Sequence, residues 1–157
     1  MFENFKKEMK KRNEQTAITK AEYAETLYIR YSGELRNREY ELSFAKQNAE
    51  KIRSAENKNT MTPSEELNLS YLAQRIEDDT NIIQNMLYPL CMKLAHLATG
   101  IRFLAKIGRY DVINVIISDR FVNEVSHNHA DLKRLCELLN KRCRLVDMAR
   151  KTFDVKK

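Results

Sequence analysis

Glu124-Val125-Ser126-His127 places a carboxylate three residues ahead of an imidazole, one turn of a helix, the spacing with which di-iron bundles bring both groups to one metal. Such a centre needs two of these motifs and a glutamate from each of two further helices. The other histidines, His96 and His129, have Lys93 and Ser126 three residues before them, so the donor count falls short. Cys136 and Cys143 lie seven residues apart, two turns of helix, without the C-x2–4-C spacing of compact zinc modules. They are expected to serve as small buried hydrophobes, and His96, between Ala95 and Leu97, as a core or boundary histidine. A Gly-rich phosphate loop and a Gly-x-Ser-x-Gly elbow are both missing from the sequence. No catalytic residue, metal or cofactor is therefore expected.

Arg120 and His127 are seven residues apart and would share a helix face. The spacing resembles the Arg-x4-6-His motif of helical ribonucleases of the HEPN superfamily, which would make these two residues the site of a nuclease. Phe121 follows the arginine, however, where that family usually carries a polar residue. Nucleic-acid binding without catalysis is a further alternative. Residues 101–157 hold 13 Lys and Arg against 7 Asp and Glu, a net of +6, whereas residues 1–60 carry +3 and residues 61–100 carry −3. The basic excess gathers in Lys133, Arg134, Lys141, Arg142 and Arg144, with Glu137 and Asp147 among them, so the face is mixed in sign. Arginines also alternate with tyrosines at Tyr28, Arg30, Tyr31, Arg36, Arg38 and Tyr40, a pattern that suits base stacking where it is exposed and a core where it is not.

The elements that must carry these residues are helices. A repeat of alternating three and four residues runs through Ala17, Ala21, Ala24, Tyr28, Tyr31, Leu35, Arg38, Leu42, Ala45, Ala49 and Ile52, interrupted only by Gly33, a point of weakness or of close helix approach. A second stripe, offset from this seam, carries Tyr40 and Phe44, the candidate partner-binding residues. The polar run from Asn57 to Met61 reads as a connection, and Thr62, Pro63 and Glu65 as the cap, first position and capping-box acid of the next helix. Its seam is Leu69, Leu72, Ile76, Ile83, Met86, Leu90, Leu97 and Leu104, with a kink expected near Asn85 because Pro89 sits inside it. So short a connection predicts an antiparallel helical hairpin. Gly108 is expected to end the second arm in a left-handed turn. Tyr110 to Val125 then reads as a third helix, and Asn128 as the cap of a fourth, running through Leu132, Leu135, Leu139, Val146, Ala149 and Phe153.

The predicted fold is all-α: a long antiparallel hairpin over residues 16–107 packed with two shorter C-terminal helices over 109–157, bundle-like and forming one domain of 157 residues. Residues 1–15 form a basic segment whose Phe2, Phe5 and Met9 share a face. Packing against the bundle, or a loosely ordered terminus, is expected of it, with docking on a partner or an anionic membrane as the alternative. Hydrophobic residues make up 43% of the chain and charged ones 32%, which excludes a disordered polyampholyte, and only three Gly and two Pro occur, too few turns for a sheet of short strands. The apolar run from Ile82 to Ile107 is broken by Lys93, His96, Arg102 and Lys106 and reads as a buried helix, not a membrane span. Three cysteines, an odd number, and charge from the third residue onward point to a reduced, intracellular and cytoplasmic setting without a secretion signal. These readings converge on a non-catalytic interaction protein: an adaptor, a regulator or an oligomerising structural component that binds a protein partner or itself, with DNA or RNA as the alternative partner.

Overall fold

The computed structural model describes residues 2–56 and 61–154. It is built of helices α1 (Phe2–Glu56), α2 (Pro63–Ile82), α3 (Tyr88–Lys106), α4 (Tyr110–Ile116), α5 (Asp119–His127) and α6 (Leu132–Asp154), with a single π-turn, Ile83–Leu87, joining α2 to α3. Among the described residues there is no strand, and no helix is long and apolar enough to cross a membrane. Of the polar connection expected from Asn57 to Met61, residues 57–60 lie outside the described residues. Contacts divide the chain into two compact units, one from Ser32 to Tyr88 and one made of the residues up to Tyr31 with those from Pro89 onward.

The Ser32–Tyr88 unit is an antiparallel helix pair. Arg38 of α1 meets Asp79 of α2, and Glu41 meets Arg75. Further along, Ala45 and Ala49 pack with Leu72, flanked by Ile52, Leu69 and Ile76, so partner numbers on α2 fall as those on α1 rise. Thr62 starts α2 as expected: its hydroxyl oxygen accepts from the Glu65 N–H at 3.2 Å. The Thr62 hydroxyl donates to Glu65 Oε1 at 3.1 Å, so the Glu65 carboxylate bonds the cap side chain in place of the cap backbone. The disturbance expected near Asn85 is a π-turn, in which the Tyr88 N–H donates to the Ile83 carbonyl five residues back. Pro89 has no N–H to offer Asn85, and the extra residue in the turn relieves the crowding its ring would cause.

In the other unit, α1 up to Tyr31 packs with α3 to α6. Ala17, Ala24, Leu27 and Tyr31 are buried, as are Leu90, Leu94, Leu97, Ile101 and Leu104 of α3, Ile113 and Ile116 of α4, Phe121 and Val125 of α5, and Leu135, Leu139 and Val146 of α6. Leu27 takes the core position expected of Tyr28, which is exposed. The Tyr31 hydroxyl donates to the His129 carbonyl at 3.0 Å and so ties the α5–α6 turn to α1. At Gly108 the backbone has φ +75, with Gly108 N–H donating to the Ala105 carbonyl and Arg109 N–H to that of Leu104, the paired bonds of a Schellman ending.

Three local expectations change. The helix expected from Tyr110 to Val125 is interrupted at Ile117–Ser118, because the Ser118 hydroxyl captures the Phe121 N–H at 3.2 Å and starts α5. Asn128 does not cap α6. Its side-chain amide donates to the Glu124 carbonyl at 2.7 Å and closes α5, while Asp131 caps α6 by accepting from the Arg134 N–H at 3.1 Å. Gly33 marks no close approach, since nothing lies within 4 Å of where its β-carbon would be.

Candidate interaction surface

Phe44 immediately precedes the buried Ala45 on α1, and Tyr71 immediately precedes the buried Leu72 on α2. In an antiparallel pair the same offset from facing seams points to the same side, so both rings emerge beside the Ala45–Leu72 contact. Tyr40 and Leu67 lie one turn earlier on their respective helices and extend the patch along that flank. Tyr40 is 73% and Phe44 57% exposed, and Leu67 and Tyr71 are likewise exposed. Sequence reasoning found the α1 half and missed Leu67 and Tyr71. The signal was present, as the same one-residue offset from the α2 seam.

A cleft of about 380 Å³ adjoins Tyr71 on this flank, lined also by Arg38, Glu41, Gln74, Arg75, Asp78, Asp79 and Ile82. Its polar centre is Asp79, which is buried. Arg38 Nη1 donates to Asp79 Oδ1 at 3.3 Å, while Arg75 Nε stands 3.9 Å from Asp79 Oδ2 and Arg75 Nη2 stands 3.7 Å from Glu41 Oε2. Oδ2 itself accepts no hydrogen bond. The carboxylate is held by ion pairs that fix the register of the two helices, and the cleft mouth presents both signs of charge.

The other candidates fall on α5 and α6. Arg120 and His127 are both exposed on α5, but Arg120 Nε donates to Glu124 Oε1 at 3.0 Å, and His127 Nδ1 lies 2.7 Å from the Asn123 carbonyl. A carbonyl only accepts, so Nδ1 carries the proton and Nε2 is the nitrogen left facing outward. Glu124, the carboxylate of the Glu-x-x-His pair, is thereby engaged with Arg120. Among the described residues no three His, Cys, Asp or Glu side chains converge as a metal site would require. The Cys143 thiol is packed against α3 with its Sγ 3.4 Å from the Lys93 carbonyl. Burial pushes it up to about 11, and burial raises Cys136 as well, so both stay protonated thiols. His96 is a boundary residue whose Nε2 meets Asp147 Oδ1 at 2.6 Å, linking α3 to α6.

Of the basic set on α6, Lys133, Arg134, Lys141 and Arg144 are exposed, and Arg134 pairs with Glu137 at 3.2 Å. Arg142 turns inward. Its Nη1 donates to the Ile116 carbonyl at 3.1 Å and its guanidinium lies 4.9 Å from the centre of the Phe121 ring, so it anchors the end of α4 and its burial lowers its pKa. No family model, curated protein or solved structure matches the chain, so its function is read from its own residues.

Proposed function

We propose that the protein is a non-catalytic helical interaction protein, an adaptor, regulator or oligomerising component, that associates through the hairpin flank bearing Tyr40 and Phe44, with a second copy of the chain as its occupant. The observation that supports this reading is the exposure of two aromatic rings on α1 beside Leu67 and Tyr71 on α2. Large apolar side chains gathered on one flank favour association over solvation. A two-fold axis through the patch would set Tyr40 and Phe44 of one copy against Leu67 and Tyr71 of the other, a self-complementary arrangement. The Arg38, Glu41 and Arg75 rim, of mixed sign, suits a copy of itself better than a partner of one charge. Light scattering after size-exclusion chromatography is expected to give a dimer or larger species at micromolar concentration. Tyr40→Glu with Phe44→Glu is expected to give a folded monomer. A wild-type monomer, or a double variant that loses helicity instead of dissociating, would overturn the reading.

The alternative, binding of DNA or RNA by α6, has the exposed Lys133, Arg134, Lys141 and Arg144 in its favour. It requires an affinity that falls with salt as phosphate contacts release counterions. Replacing Lys133, Lys141 and Arg144 by Glu would then weaken binding to every sequence and flatten that dependence.

A further inference from the structure

The first eleven residues of α1, Phe2–Arg12, are helical and exposed throughout, with Phe2 72%, Phe5 59% and Met9 47% accessible. They therefore do not pack on the bundle, as the sequence had suggested, and they are not irregular. Their spacing of three and four residues puts the two rings and the thioether in one stripe. Just beyond the segment, the Asn114 side-chain amide of α4 donates to the Asn13 carbonyl at 3.2 Å and holds the backbone of α1 there. Beside the stripe stand Lys6 and Lys10 on one side and Arg12 on the other, where Glu8 lies one turn before it, and Lys7 and Lys11 lie on the far face near Glu3; the segment holds five basic residues against these two acids. The Lys6 ammonium lies 5.1 Å from the centre of the Phe2 ring, so a cation already sits at the edge of the apolar stripe.

We infer that Phe2–Arg12 is a surface-seeking helix that lies on an anionic lipid bilayer, its Phe2, Phe5 and Met9 stripe entering the headgroup layer while Lys6, Lys10 and Arg12 reach lipid phosphates on either side. Charge complementarity selects this occupant. A narrow apolar stripe with two lysines on one flank and Arg12 beside Glu8 on the other, in a segment with five basic residues against two acids, matches a plane of negative headgroups, and long basic side chains bend back to such a plane while their stems stay against it. An apolar groove in a protein would gain from the stripe but would have to supply acid along both rims. Because the segment is exposed throughout, it can bind without uncovering buried residues.

The test is co-sedimentation of the full-length chain with vesicles of phosphatidylcholine alone and of phosphatidylcholine mixed with phosphatidylserine, at low and raised salt. Binding is expected only to the mixed vesicles and is expected to weaken as salt rises. Lys6→Gln with Lys10→Gln and Arg12→Gln is expected to reduce the partition on the order of a hundredfold. Phe2→Ser with Phe5→Ser is expected to abolish it, with thermal melting unchanged in both variants. Tyr40→Glu with Phe44→Glu is expected to retain binding, which separates this result from the fate of the association surface. Failure to sediment with the mixed vesicles, equal binding to neutral ones, or full binding by the Phe2 and Phe5 variant would each overturn the inference. So would loss of self-association in that variant without lipid, because the stripe would then be covered by another copy.

Discussion

At Gly100 an added β-carbon would lie 2.0 Å from Val146 Cγ1 and 3.1 Å from both Val146 Cβ and Cγ2, so α3 and α6 meet there with only a hydrogen between backbone and valine. Gly100→Ala gains about 1 kcal/mol of helix propensity and incurs roughly 1–3 kcal/mol of overpacking. The whole valine side chain blocks the methyl, so the loss should win and lower the urea midpoint. Gly33→Ala has open space around it and should raise stability by about 1 kcal/mol. Equal shifts at the two sites would mean that the Gly100 contact is not tight. Cys143 gives a pH signature. Its thiol is held up at about 11 by burial, against an ordinary 9.0. Folding therefore favours the protonated form. That contribution is fully present below 9.0 and is lost as pH rises through about 11. Cys143→Ala should make stability decline less steeply across this window, while Tyr23, also raised chiefly by burial, continues to contribute in the same direction. An unchanged alkaline decline in urea titrations would remove the thiol from the account.

Single side chains set the element boundaries in the C-terminal half. Ser118 and Asp131 each accept an N–H three residues on, from Phe121 and Arg134, and so satisfy a donor that the first turn of α5 or α6 would otherwise leave open. Replacing either by Ala should destabilise the protein by about 1 kcal/mol, read as a lower urea midpoint. Asn128→Ala should leave the start of α6 in place, and a loss of protection confined to Leu132–Leu135 in that variant would restore Asn128 as its cap. These boundaries show where the sequence was legible. The seams were, because burial follows a period that a long helix repeats many times: Ala17, Ala24, Tyr31, Ala45 and Ala49 are buried as expected. The break at Ile117–Ser118 was not, because Val112 to Val125 keeps apolar residues on a helical period straight through it and one hydroxyl decides the outcome. Asn128 and Asp131 both have capping side chains, and only the path of the turn shows which of them meets an open N–H. Tyr40 and Phe44 were legible as a stripe off the seam. Leu67 and Tyr71 carry the same offset from the α2 seam, and they join that stripe only when the offset is followed across the antiparallel pair.

Across the whole chain, α1 is one uninterrupted helix that contributes to two units with unequal cores. Up to Tyr31 it packs into an interior with Tyr31, Phe121, Leu97, Leu104, Ile113 and Leu139 fully buried. Between Ser32 and Ser54 its buried residues are Ala45 and Ala49, small side chains that remove little apolar surface from water, facing Leu72. That second unit also buries Asp79, whose ion pairs must offset the loss of its hydration and leave Oδ2 without a hydrogen bond. Backbone bonding is the same kind of i to i−4 ladder along both stretches, so any difference in opening must come from packing. Amide exchange should therefore be slower over Ala17–Tyr31 than over Arg38–Ile52, with α2 between Leu69 and Ile82 exchanging at rates like the latter. Removing the Arg38–Asp79 pair by Asp79→Asn should widen the gap by speeding exchange in Arg38–Ile52 and α2 while leaving Ala17–Tyr31 unchanged. Uniform protection along α1, or an Asp79→Asn effect that spreads equally to Ala17–Tyr31, would mean that the helix opens as one unit and that core size does not set its local stability.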